Sequence, residues 1–224
     1  PVADIRIDGA GKKVTRSDNC RVSDLSVSSD NLTFTYEAKS LPYPIDTSYY
    51  DNEKHTQADA LSVIPFMDEM NYEGLSVSGL SDGYYGLTIG GEFIGRFTAR
   101  ELERGINMAL LQNTPQYKQA MKIRQMNEER WLKERKMREF YWVEYNLMRK
   151  TGMLWACNEA AVDTLRKYRP HDIFLQWNGD LWLQYMHKGI REDCVNEQQD
   201  LVNQIYEQNK PIPLRIEIKK FTDL

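Results

Sequence analysis

Between Thr114-Pro115 and Gly152 the chain carries nothing that breaks a helix. Thr114 supplies an N-cap, and Pro115 sits at the first helical position, where its missing N–H costs nothing. At about 1.5 Å per residue, a helix reaching about Lys150 extends roughly 50 Å. Its middle, NEERWLKERKMRE, is polar apart from Trp131, Leu132 and Met137. Glu129–Lys133 and Glu134–Arg138 are i,i+4 pairs in the favourable order. Such a stretch crosses solvent or spans two packed regions, while Phe140, Tyr141, Tyr145 and Met148 bury its end.

The rest of the second half also reads as helical. Thr98-Ala99-Arg100-Glu101 has capping-box spacing, and Gly105 ends that short helix. Asn158 to Tyr168 predicts another, stopped by Pro170. The tryptophan-rich FLQWNGDLWLQYMHKG follows. A last helix, Arg191 to Asn209, carries Cys194, Leu201 and Ile205 at helical spacing and stops before Pro211. Leu214, Ile216 and Ile218 then alternate with Arg215, Glu217 and Lys219, a closing strand expected to pair with the opening one.

The first half alternates with period two. Ile5 and Ile7, Leu32, Phe34 and Tyr36, then Leu75 and Val77 each face away from polar neighbours. Leu87 and Ile89 lead into Gly90-Gly91 and Glu92-Phe93-Ile94, the pattern of a two-residue hairpin. The expected fold is α+β: a small antiparallel β-sandwich over 1–97, then a helical region over 98–224 with one very long helix and a closing strand, packed as one unit. Residues 41–60 form a long polar loop with two prolines and three tyrosines, a length that is often functional.

Composition excludes several classes. The formal charge is -4, so the molecule as a whole has no electrostatic reason to seek nucleic acid. No apolar run approaches the roughly 20 residues of a membrane span. Cys20, Cys157 and Cys194 lie far apart without metal-binding spacing, so neither a zinc site nor another metal or cofactor is expected. The chain opens on Pro1 and a strand follows at once, which suggests a piece of a longer protein.

Candidate chemistry is sparse. His55, His171 and His187 read as surface or helix-end residues, because no serine sits in a GxSxG elbow or a Gly-Asp-Ser turn. No catalytic residue is therefore assigned. Asp68, Glu69, Asn71 and Glu73 bring acids and an amide to a strand entrance; an amide there closes a turn or meets a ligand. The glycines from 83 to 95 supply turn geometry rather than a phosphate cradle. The basic residues from Lys118 to Arg138 are interleaved with Glu at pairing distance, which suits a solvated helix better than a nucleic-acid stripe. Asn71, Glu73, Tyr49, Tyr50, Trp177 and Trp182 remain as substrate-binding candidates, the tryptophans either stacking on a sugar or anchoring a core.

Several blocks resemble one known group. PFMDEMNYEGLSVSGL, YYGLTIGGEFIGRFTARELERGINMA and TPQYKQA, with REFYWVEYNLMRKTG and IYEQNKPIPLRIEI further on, are similar to the region downstream of the catalytic domain in bacterial SGNH/GDSL-type hydrolases of the Bacteroidetes and Planctomycetes kind. The resemblance runs from about Ala3 to Ile218. The family's catalytic motifs do not occur here. Asp51 to His55 has one residue too many for Asp-x-x-His, and Asn178-Gly179-Asp180 is followed by Leu181 rather than serine. Ala3-Asp4-Ile5-Arg6-Ile7-Asp8-Gly9 fits the segment that follows the family's catalytic His block. The resemblance implies a C-terminal accessory region, not catalytic alone, that docks on an upstream SGNH hydrolase domain and shapes its site for an acyl-ester or carbohydrate substrate. It also implies a secreted or periplasmic protein. A carbohydrate-binding module and a structural interaction domain are the alternatives.

Overall fold

A computed structural model describes residues 1–46 and 56–221. The chain is α+β, with two β-sheets, a long helix and a closing C-terminal strand. It divides into two compact units: Pro1–Arg124 with Gln208–Leu224, and Gln125–Glu207.

The first unit holds the strands β1 (Ala3–Asp8), β2 (Lys13–Asp18), β3 (Cys20–Val27), β4 (Asn31–Ala38), β5 (Glu73–Ser78), β6 (Tyr84–Ile89), β7 (Glu92–Thr98), β8 (Ile106–Asn107) and β9 (Leu214–Lys220). They form sheets ordered β2-β1-β5-β8 and β3-β4-β9-β6-β7. All pairings are antiparallel except β1 with β5, which run parallel from Ala3↔Glu73 to Asp8↔Ser78. Ile5, Ile7, Leu75 and Val77 of one sheet share a core with Leu32, Phe34, Leu87, Ile89, Ile216 and Ile218 of the other. The period-two alternation thus sets which face is buried. The closing strand does not join the opening one. β9 sits between β4 and β6, pairing Ile216 with Phe34 and with Ile89. Its apolar residues fill the centre of the larger sheet, where burial is greatest.

Gly90 and Gly91 turn the β6–β7 hairpin with φ of 59° and 85°. Positive φ at both turn positions marks the tight hairpin whose twist matches its strands. Two short helices, α1 (Phe66–Glu69) and α2 (Ala99–Arg104), flank β5 to β7 in the chain. In α2 the Thr98 N–H donates to Glu101 Oε2 at 2.7 Å, and the Glu101 N–H donates to Thr98 Oγ1 at 3.2 Å. Thr98→Ala removes the hydroxyl half of this box and is expected to cost about 1 kcal/mol of stability, read from the urea midpoint.

The helix α3 (Pro115–Val143) leads the chain from the first unit into the second, and its last turns continue as a π-helical segment, Glu144–Met148. The second unit adds α4 (Glu159–Tyr168), α5 (Ile173–Tyr185) and most of α6 (Lys188–Gln208). Asn158 caps α4 through the Ala161 N–H, and Asp172 caps α5 through the Phe174 and Leu175 N–H groups. Phe140, Val143, Met148, Leu165, Leu175 and Trp182 make its core. No helix among the described residues is long and apolar enough to cross a membrane.

Candidate functional site

The first unit buries a carboxyl group. Glu73 opens β5, which lies inside its sheet, and its side chain is 0% exposed. The Tyr36 hydroxyl, from β4 of the opposite sheet, donates to Glu73 Oε1 at 2.8 Å. Gln116, in the first turn of α3, directs Nε2 to both carboxyl oxygens at 3.3 Å. No Lys, Arg or His among the described residues forms an ion pair with Glu73. Removal from water disfavours the charged form and pushes this carboxyl up to about 7, although the Tyr36 and Gln116 hydrogen bonds pull the other way. Burial, then the Glu73 charge beside it, raises the Tyr36 phenol. Burial also pushes the Cys20 thiol up to about 11, with Asp18, Asp4 and Glu73 adding to it. The Gln116 Oε1 is buried and takes no hydrogen bond among the described residues.

Around Glu73, amide side chains fasten the incoming chain. The Asn71 side chain brackets Tyr43, accepting from its N–H at 2.7 Å and donating to its carbonyl at 2.9 Å. The Tyr117 hydroxyl donates to the Ile45 carbonyl at 2.6 Å. Asn107 accepts from the Glu73 N–H at 2.9 Å and donates to the Met67 carbonyl at 2.9 Å. These bonds lead the chain from β4 toward the polar loop. Tyr49, Tyr50 and His55, singled out in that loop, lie outside the described residues. The structure thus places Asn71 and Glu73 together, with Asn71 committed to backbone and Glu73 closed to solvent. Nothing in the sequence marked Gln116, Asn107 or Tyr117 as their partners.

The second unit separates the two tryptophans that α5 presents. Trp182 is 0% exposed, and its Nε1 donates to Glu144 Oε1 at 2.8 Å. Glu144, itself buried in the π-helical turn, accepts the Trp155 N–H through Oε2 at 2.9 Å. Trp155 holds φ at 62°, a left-handed conformation that costs a bulky residue roughly 1–3 kcal/mol. One carboxyl therefore joins a core indole, a π-turn and a strained surface residue. Trp177 faces outward at 66% exposure. Its ring meets Phe174 edge to face at 5.5 Å, and Phe174 lies 5.2 Å from Trp142 of α3. With Trp131, Arg135, Arg138, Glu139 and Asn178 these rings line an open groove of about 570 Å³.

Among the described residues the remaining candidates assemble no catalytic set. Cys157 Sγ and His187 Nδ1 lie 3.3 Å apart, both exposed, a meeting that no local pattern marks. No carboxylate among the described residues holds the other nitrogen of that ring, as the third member of a triad would. His171 lines a separate cavity of about 360 Å³ with Tyr168 and Lys150. Among the described residues no three His, Cys, Asp or Glu side chains gather as metal ligands.

Residues 121–210 match the family model described as the diltiazem deacetylase C-terminal helical domain, and these bounds lie close to those of the second unit, 125–207. A search of curated proteins found no match. A solved structure of a gut microbial diltiazem-metabolizing enzyme is 35% identical, with a TM-score of 0.90, over 98% of this chain. The chain spans 50% of that enzyme's length. It is therefore similar, along nearly all of its length, to one half of a longer enzyme, and its helical stretch is similar to a deacetylase C-terminal helical domain.

Proposed function

We propose that this chain is the C-terminal accessory region of an SGNH-type ester hydrolase, docking on a catalytic domain outside these 224 residues and shaping its active site. The observation that carries this reading is the match to half of a longer enzyme, with the helical stretch matching a C-terminal domain. The blocks similar to SGNH/GDSL-type proteins supply the type of hydrolase. The carboxyl at Glu73 has both oxygens occupied and no exposed surface, so it suits a scaffold role rather than proton exchange with a substrate. On the same resemblance we place the intact protein in the periplasm or outside the cell.

The test mixes the purified chain with an acetyl-ester reporter, alone and together with the separately produced other half of the enzyme it resembles. Ester hydrolysis is expected only in the mixture. Turnover by the 224-residue chain alone, abolished by replacing Cys157 or His187, would overturn the reading.

A further inference from the structure

We propose that the open groove between α3 and α5 binds an acidic saccharide, with a sugar ring on Trp177 and a uronate carboxylate on Arg138. The proposal concerns the second unit alone and does not depend on the hydrolase reading.

The aromatic content of the groove is the first observation. The chain has five tryptophans, and three of them line this one trough. Single exposed aromatics are ordinary, whereas a contiguous set marks a binding surface. Phe174 braces the set, its ring tilted 36° to Trp142 and standing at 78° to Trp177. The edge-to-face contact holds the Trp177 indole in place while two thirds of the residue stays exposed. A broad, fixed, accessible indole suits the carbon-hydrogen face of a pyranose ring.

Charge is the second. The groove is lined by two arginines and one glutamate. Arg135 and Glu139 hold each other at 2.7 Å and cancel. Arg138 is left with a long 3.8 Å approach to Glu134, whose carboxylate is engaged at 3.1 Å by Arg130. The Arg138 guanidinium lies 5.6 Å from the Trp131 ring centre, which keeps its planar fork beside the aromatic floor. The net positive charge of the groove is carried there, and a planar fork pairs with a carboxylate through two parallel hydrogen bonds.

Polar reach decides between ligand classes. A hydrocarbon surface laid into the groove would cover Arg138, Asn178 and the carboxylate of the Arg135–Glu139 pair while offering none of them a hydrogen bond, at a cost that apolar contact does not recover. A uronate chain uses all three: carboxylate to Arg138, hydroxyl groups to the Asn178 amide and to the free lone pairs of Glu139. The volume of about 570 Å³ falls within the range of small-ligand sites, about 300–1,000 Å³.

Isothermal titration calorimetry of the purified chain with trigalacturonate, and with the neutral galactose trisaccharide, tests this. Trigalacturonate is expected to bind, and the neutral sugar about tenfold more weakly or not at all, the loss expected of a charge-assisted bidentate contact. Arg138→Gln is expected to remove that preference, and raised salt to reduce it. Trp177→Ala is expected to abolish binding by both sugars, with Trp177→Phe intermediate. Both Trp177 variants change an exposed side chain, so an unaltered circular dichroism spectrum separates lost binding from lost fold. Equal affinity for the two sugars, or unchanged affinity in Arg138→Gln, overturns the proposal. So does the absence of trigalacturonate binding, including the case where a protein partner captures this face instead.

Discussion

Trp182→Ala is expected to lower the stability of the helical unit by about 3–5 kcal/mol. Three contributions act together. The indole is the largest fully buried side chain among the described residues, so truncation leaves a cavity in the core that it shares with Phe140, Leu165 and Leu175. Its Nε1–H is the donor to Glu144 Oε1, and the change leaves a buried carboxyl oxygen without a partner. Glu144 also holds the Trp155 N–H, so loosening the carboxyl releases the left-handed turn that it pins. Trp182→Phe keeps most of the volume while losing the hydrogen bond and part of the ring, so it is expected to cost less than Trp182→Ala. All five tryptophans lie between residues 125 and 207, so indole emission during urea unfolding reports this unit alone. A Trp182→Ala midpoint within 0.5 kcal/mol of the parent would show that the indole is not the anchor of this core. A double-mutant cycle with Glu144→Leu, which removes the acceptor, separates the hydrogen bond from the packing.

The contrast between Trp182 and Trp177 shows where the sequence was legible. Both stood out as candidates, yet five residues on a helix rotate the side chain about 140° beyond a full turn. One indole enters the core and the other faces water, and only the neighbours decide which. Trp131 and Trp142 complete the groove from a different helix, and no local pattern links them to Trp177. The helices themselves were readable because their ends carry chemistry: Thr98 with Glu101, Thr114 with Pro115, Asn158. The inner strands were readable because each alternates apolar and polar residues over a buried face. β2 and β3 were not, since KVTRSD and CRVSDLSV lie at sheet edges and keep most of their side chains at least partly in water. The place of β9 beside β4 and β6 rather than β1 is a long-range choice, and strand pattern says nothing about partner. The same holds for Glu73. Its identity was visible, while Tyr36 and Gln116, which give it its character, lie 37 and 43 residues away.

That buried carboxyl sets the pH behaviour of the β unit. Burial raises Glu73 in the folded chain to about 7, above the 4.5 ordinary for glutamate. Between these values the folded state holds a proton that the unfolded state has released. Stability then falls as pH rises, because the unfolded chain binds fewer protons than the native one. Below about pH 4.5 both states are protonated and the contribution is whole; above about pH 7 it has been lost. A rise of this size corresponds to roughly 3 kcal/mol across the window, an order-of-magnitude figure. Glu73→Gln keeps the shape and the oxygen that accepts from Tyr36, and has no proton to lose. The stability difference between the variant and the parent is therefore expected to shift in favour of the variant by roughly 3 kcal/mol between pH 4.5 and pH 8. Amide hydrogen exchange at β5 and β9, which lie inside their sheets, measures that difference without a tryptophan in the unit. Comparing the two chains cancels every other titrating group that they share. A difference that stays constant across this window would mean that Glu73 keeps an ordinary affinity for its proton, and that the Tyr36 and Gln116 hydrogen bonds offset the loss of water.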